Sequence, residues 1–145
     1  MSEVIGLEDW YFDTLAGDSG AGGVNTLVAG RIYVDEAPAG VTITYPFVLI
    51  SAQADAADVV ANGPHRVMVN TLYWIRVVGK GASKKALQTI ADRIDFLLQA
   101  AGGVTASIRV LMVLREFAPA LPPATVNGQR YVQLGAIWRA YVQAP

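Results

Sequence analysis

The segment from residue 65 to residue 101 limits the possible folds of this chain more than any other. From His65 to Val78 the side chains alternate between two faces, as they do in a long β-strand. A short turn of glycine and lysine follows, and Ser83 is well suited to cap the start of a helix. Apolar residues then recur at helical spacing over residues 83–101, and a glycine pair ends the pattern. A long strand that leads into an amphipathic helix predicts a sheet packed on one side by that helix.

The flanking segments predict a short helix and further strands. Residues 3–16 follow helical spacing, and the glycine-rich stretch over 17–23 ends that pattern. The other predicted elements are a helical turn and strand within 26–34, a strand over 41–54 with Pro46 at an edge or bulge, and a strand pair over 105–117 and 129–143. We therefore expect a single domain over residues 1–145 of class α+β, with antiparallel strands in two long pairs, in the order α-β-β-β-α-β-β.

The composition indicates more apolar surface than one domain can bury. The chain is 53% hydrophobic and 16% charged, whereas a typical soluble domain is about 45–50% apolar and about 25% charged. A domain of this size buries only about 68–70% of the surface of its unfolded chain. Apolar patches that remain exposed usually mark interfaces, so the composition favours an oligomer.

Strand length supports the same interpretation. A strand of about 13 residues spans roughly 43 Å, while a compact domain of this size is roughly 38 Å across. Such strands must curl strongly or project beyond the domain. Because uncovered strand edges pair readily with a neighbour, long strands favour contacts between the sheets of adjacent copies.

Charge and cysteine content exclude several classes of protein. The net charge of −1 gives no basic footprint for nucleic acid, and the absence of cysteine excludes disulfides and thiolate metal sites. Residues 1–4 lack the features of a signal peptide, and the uncharged stretch 37–54 is interrupted by proline and glycine, so neither secretion nor a membrane span is expected. The residues suggest no cofactor.

Motifs that resemble catalytic sites are better interpreted as turns and surface. Gly17-Asp18-Ser19-Gly20 matches the nucleophile motif of trypsin-like proteases, but the single histidine, His65, follows it instead of preceding it. A surface histidine is the preferred interpretation of His65, because no metal ligands accompany it. Asp92 and Asp95 share the polar face of the predicted helix, where carboxylates are usually solvated. We expect no catalytic and no metal-binding residue.

The turn before the helix carries the cations Lys80, Lys84 and Lys85. Phosphate-binding loops occupy such positions between a strand and a helix, but the Walker spacing is absent here. An exposed turn is the preferred interpretation. An anion or nucleic-acid contact by the three lysines is the alternative.

Four arginines lie within predicted strands among apolar neighbours. Arginines in this setting usually extend their charged ends to solvent or pair with carboxylates, and we favour pairing across a subunit interface over catalysis. Two connections add candidate interface residues: the turn over 55–64 and the proline-rich loop over 119–128. The candidates for contact with another subunit or partner are Asn62, Gly63, Arg76, Arg109, Arg139, Pro122 and Pro123, and Arg115 is the fourth strand arginine.

Three short motifs in the first half of the chain resemble a known family. They are Gly30-Arg31-Ile32-Tyr33, Ala37-Pro38-Ala39-Gly40 and Tyr45-Pro46-Phe47-Val48-Leu49-Ile50. In this order, followed by a strand, an amphipathic helix and a final strand with Tyr131, Trp138 and Arg139, they resemble the small tail terminator, or tail completion, proteins of long-tailed bacteriophages and phage-derived particles. The resemblance covers about residues 4–143. The glycine-rich stretch 17–23 and the proline-rich loop depart from the family pattern.

The resemblance implies a structural role in the virion. Proteins of this family form a ring, typically a hexamer, that docks on the last ring of tail-tube subunits and ends tube polymerisation. The ring then joins the head–tail connector, or neck, proteins at the head-proximal end of the tail, after assembly in the host cytoplasm, and DNA passes through its lumen. The expected partners are further copies of the chain, the tube protein and the neck protein, with no membrane. The alternatives are another neck or tail-tube component or, in a different class, a module that binds a small apolar ligand; an enzyme is the least favoured class.

Overall fold

The computed structural model describes residues 2–53, 57–60 and 66–143. These residues form three helices and an eight-stranded sheet. The helices are α1 (Ser2–Ala16), α2 (Val24–Leu27) and α3 (Lys84–Leu98). The strands are β1 (Ile32–Val34), β2 (Phe47–Ala52), β3 (Ala57–Val60), β4 (Arg66–Lys80), β5 (Gly103–Val104), β6 (Arg109–Phe117), β7 (Ala124–Val126) and β8 (Gln129–Gln143).

The sheet is curled and mostly antiparallel, which confirms the predicted α+β class with an N-terminal helix first. The strand order is β1-β2-β4-β8-β6-β5, with β3 paired to β4 and β7 paired to β8. The central pair, β4 and β8, runs in register from Val69 opposite Val142 to Lys80 opposite Tyr131. Only β1 and β2 pair in parallel. The two predicted strand pairs are thus joined into one sheet.

Helices α1 and α3 cover one face of this sheet, and the core lies between them and the strands. The alternation predicted for β4 is confirmed, because Val69, Tyr73, Ile75 and Val77 are all buried on the helix side. The Tyr73 hydroxyl donates a hydrogen bond of 2.7 Å to Glu8 Oε1 and thereby fixes α1 to the central strand. None of the described helices has the length and apolar character needed to cross a membrane.

The N-terminus of α3 agrees with the prediction, but its C-terminus does not. The Ala86 backbone N–H donates to Ser83 Oγ at 3.2 Å, so Ser83 is the N-cap. The helix ends at Leu98 instead of residue 101. Ala100 has a φ of +57° and its N–H donates to the Val113 carbonyl oxygen at 2.8 Å. Pairing with β6 therefore replaces the last turn that the apolar spacing predicted.

Two predicted strands begin later than expected. The strand predicted over 41–54 begins at Phe47, directly after Pro46, which has no N–H to donate to a ladder. The strand predicted over 105–117 begins at Arg109, because the Thr105 hydroxyl accepts hydrogen bonds from the N–H groups of residues 107 and 108 and holds a turn. Two predicted connections, 55–64 and 119–128, contain the short strands β3 and β7.

Candidate assembly interface

The sheet face opposite the helices carries a largely apolar patch that the helices leave uncovered. We call this set of side chains the outer patch. Cross-strand register brings its members together: residue 49 faces 76, residue 51 faces 74, and residue 74 faces 137. Leu49 and Ile137 are buried and the other members are partly exposed. The outer patch consists of Leu49, Ser51, Leu72, Trp74, Arg76 and Ile137.

Arg76 is a cation in the middle of the outer patch. Its guanidinium carbon lies 3.8 Å from the centroid of the Trp74 ring, and its Nη1 donates to Ser51 Oγ at 3.3 Å. Burial lowers the pKa of the guanidinium. Among the described residues it has no carboxylate partner. A partly buried charge without a counter-ion is costly, so a carboxylate supplied by another chain would stabilise it.

The loop predicted as an interface element is an exposed β-hairpin. Strand β7 pairs with the first residues of β8, and Asn127 and Gly128 form the turn with φ values of +50° and +75°. Pro122 and Pro123, which precede β7, are exposed, as is every residue from 122 to 130. The hairpin therefore offers both of its faces to a partner.

The other strand arginines differ in how they are paired. Arg139 forms two hydrogen bonds with Glu116, at 3.0 and 3.1 Å, and a third with Asn70 Oδ1 at 2.8 Å. Arg115 pairs with Asp95 of α3. These two arginines have carboxylate partners in their own chain, so neither needs one from a neighbour. Arg109 is exposed and has no ion pair with a described residue.

The protease-like motif is a structural turn, as predicted. Asp18 accepts two hydrogen bonds from the Arg93 guanidinium, at 2.9 and 2.8 Å, and a third of 2.8 Å from the Val24 backbone N–H. The hydroxyl of Thr26 donates to the carbonyl oxygens of Ser19 and Gly20. The motif thus fixes the loop between α1 and α2 to α3. His65, the histidine considered with it, lies outside the described residues.

An Asp18→Asn variant is expected to destabilise the fold at neutral pH, by about 1–2 kcal/mol through its weakened hydrogen bonds. The hydrogen bond with Arg93 holds the pKa of Asp18 below its usual 3.8. Because the folded state has the lower pKa, this stabilisation is complete above the unfolded value and is lost as the pH falls through the folded value.

Urea unfolding of the variant and the wild type at pH 7 and near pH 3 measures this effect. The difference between the two proteins should shrink at the lower pH. Glu36→Gln is the matched control, since Glu36 is exposed, and it should unfold like the wild type at both pH values. A constant Asp18→Asn deficit at both pH values would contradict the assignment.

The three lysines proposed as an anion contact lie at one end of the sheet. Lys80 ends β4, while Lys84 and Lys85 begin α3, and all three are exposed. The Gly81 N–H donates to the Arg130 carbonyl oxygen at 2.7 Å, which adds a fourth cationic residue to this end. The anion contact stays a prediction.

An open groove of about 450 Å³ runs beside these lysines, between α3 and the sheet. Charged side chains line much of it, including Lys84, Lys85, Asp92, Asp95 and Arg115. Burial raises the pKa of Asp95, although its pairing with Arg115 opposes the shift. Ala91, Ala118 and Leu134 also line the groove, so its wall is partly apolar and partly charged. Within the described ranges no three His, Cys, Asp or Glu side chains are grouped in a way that could hold a metal ion.

The sequence indicates Arg76 and the loop over 119–128 as interface candidates, which stay predictions, but it does not indicate the pairing of Asp18 with Arg93. The two residues are 75 positions apart, and no local pattern links them. Asn62 and Gly63, two of the predicted interface residues, lie outside the described residues.

No protein-family model matches the chain, and no curated protein matches it either.

Proposed function

We propose that this chain is a ring-forming structural protein of a tailed bacteriophage or phage-derived particle, a tail terminator. In this role it caps the tail tube, ends tube polymerisation and joins the tail to the neck. The observation that carries the proposal is the outer patch, a partly exposed and largely apolar sheet face whose central cation has no carboxylate partner among the described residues. Such a surface suits burial against another protein.

The remaining features of the chain agree with a structural role. The exposed hairpin provides a second surface for a neighbouring copy or for the tube and neck proteins. Together with the outer patch it allows a head-to-tail contact, which repeats and closes into a ring when the rotation fits. The resemblance of the sequence motifs to the tail terminator family supplies the expected copy number of six.

The proposed mechanism requires that the surfaces of the ring fit those of its partners, and it involves no catalysed reaction. One face of the ring matches the last ring of the tube, and the opposite face matches the connector. Lys80, Lys84 and Lys85 would contact the DNA backbone electrostatically if their end of the sheet lines the lumen. The protein would act in the virion, at the head-proximal end of the tail.

Light scattering of the purified protein tests the proposal. We expect a mass of about six times the 15.4 kDa chain and, by electron microscopy, rings that bind at the ends of tail tubes. Long stacks formed by the chain alone would instead indicate a tube component. A monomer that persists at high concentration and binds an apolar ligand would contradict the proposal and favour the binding-module alternative.

A further inference from the structure

Helix α1 carries an exposed stripe in addition to its buried face. Ile5, Asp9, Phe12 and Asp13 follow one another at spacings of four, three and one residues, which places them on one side of the helix. Ile5 is 62% exposed and Phe12 is 38% exposed, although both are large and apolar. We call these four residues the α1 stripe. Two uncovered apolar side chains beside two carboxylates form a surface that suits an apolar partner with a positive charge.

The carboxylates of the α1 stripe have no partner among the described residues. Neither Asp9 nor Asp13 forms a side-chain hydrogen bond or an ion pair there. The other carboxylates near the core differ from them, since Glu8 accepts from Tyr73 and Asp18 pairs with Arg93. The stripe therefore has two negative charges beside apolar side chains, and no cation within residues 2–53, 57–60 and 66–143 pairs with them.

The outer patch has the complementary chemistry. It is largely apolar, with the side chains of Leu49, Leu72 and Trp74 around the positive charge of Arg76, which has no carboxylate partner in the described part of the chain. Of the two carboxylates, Asp9 is the better match for Arg76, because it lies one turn from Ile5 on one side and one turn from Phe12 on the other. Pairing of Asp9 with Arg76 would thus be shielded from water on both sides, where a charge pair is strongest.

The positions of the two surfaces determine what kind of contact they can make. Helix α1 lies on the helix-covered face of the sheet, whereas the outer patch lies on the opposite face. A subunit therefore presents the stripe on one side and the patch on the other. Contact between them is head-to-tail, and it leaves a free stripe and a free patch at the two ends of any open chain of subunits. Closure into a ring removes both ends.

We propose that the α1 stripe of one copy packs on the outer patch of the next copy and that the Asp9 carboxylate pairs with the Arg76 guanidinium. This inference rests on the proposed ring. It names the second copy as the occupant of the patch because the charge and the apolar character of the two surfaces match.

Charge reversal of either partner tests the pairing. Asp9→Arg alone places two cations at each contact, and Arg76→Glu alone places two carboxylates there. We expect each variant to raise the concentration at which half of the chains are assembled at least about a hundredfold, as loss of a desolvated charge pair does. Light scattering over a dilution series measures this. Glu36→Lys, a charge reversal at an exposed position outside the α1 stripe and the outer patch, should assemble like the wild type.

Mixing the two reversal variants gives the sharper result. An equimolar mixture can alternate the variants around a ring of even number, so that every contact again joins one cation to one carboxylate. For the mixture, and also for the double variant Asp9→Arg/Arg76→Glu, we expect the concentration at which half of the chains are assembled to lie within about tenfold of the wild-type value. Recovery in the mixture also establishes that both single variants are folded.

The outcomes separate this inference from the proposed function. If the wild type forms rings and the single variants form them equally well, the Asp9–Arg76 contact is wrong while the ring stands. If the single variants dissociate and neither the mixture nor the double variant assembles again, the Asp9–Arg76 pairing is also wrong. If the wild type is monomeric at every concentration, the proposed function and this contact both fail. A wild-type mass of two chains would exclude the head-to-tail arrangement.

Discussion

Replacement of Trp138 by alanine is expected to lower the free energy of unfolding by about 3–5 kcal/mol. Trp138 is 0% exposed and lies in the middle of β8, where it faces Tyr73 on β4 and Arg115 on β6. Its removal leaves a cavity that strands on both sides prevent from collapsing. Because domains are stable by only about 5–15 kcal/mol, this loss is a large fraction of the total. We expect the melting temperature to fall by roughly 10 °C or more.

Trp74→Ala is the matched control for this prediction. Trp74 is the same residue type on the neighbouring strand, but it lies on the outer patch and is partly exposed. Its loss should affect unfolding less and assembly more. Urea unfolding measures the change in the free energy of unfolding. All variants are compared at one protein concentration, because assembly makes stability depend on concentration. Similar unfolding curves for Trp138→Ala and the wild type would show that the core is not centred on this residue.

A side chain at position 135 is expected to disrupt the central strand pair. A Cβ on Gly135 would overlap the carbonyl oxygen of Ile75 and lie 2.6 Å from the Cα of Arg76. Both atoms belong to the backbone of β4, so relief requires the strands to separate. Overpacking of this kind lowers the free energy of unfolding by about 1–3 kcal/mol and sometimes more. We expect the loss for Gly135→Ala to lie at or above the upper end of this range. Because residue 135 is opposite Arg76, the outer patch should also be distorted.

Gly20→Ala is the control for Gly135→Ala. Residue 20 is a glycine in a loop, and a Cβ there meets no atom within 4 Å. This variant should melt within a degree or two of the wild type, as most surface substitutions do. Thermal melts followed by circular dichroism compare the two. Equal melting temperatures for the two variants would mean that β4 and β8 can separate at low cost.

Much of the fold could be predicted from the sequence because periodicity reports local backbone geometry. The alternation in β4 and β8 and the helical spacing from Leu87 onward identified the faces that are buried. The first residues of β2 and β6 were harder to predict from the sequence. They depend on Pro46 and on the turn that Thr105 holds, and apolar patterns extend past both. The short strands β3 and β7 were missed because their pairing with longer strands, and not their own composition, makes them strands.

The interface candidates indicated by the sequence stay predictions. An arginine among apolar residues within a strand signals a charge that needs a partner, and this pointed to Arg76. The same reasoning applied equally to Arg139, which pairs with Glu116 on the adjacent strand β6 of the same chain. The sequence predicts helix α1 from its spacing but does not predict the α1 stripe, because the exposure of these side chains depends on which side of α1 the sheet covers.

The sequence by itself determined which side chains share a face of each long strand and helix, and where the N-terminus of α3 lies. These properties follow from 2- and 3.6-residue periods and from a cap that acts within three residues. Only the tertiary structure decided which charges are paired and which sheet face is left uncovered. Those properties depend on the register between strands far apart in the chain, which no local pattern encodes, and they are what separates Arg76 from Arg139.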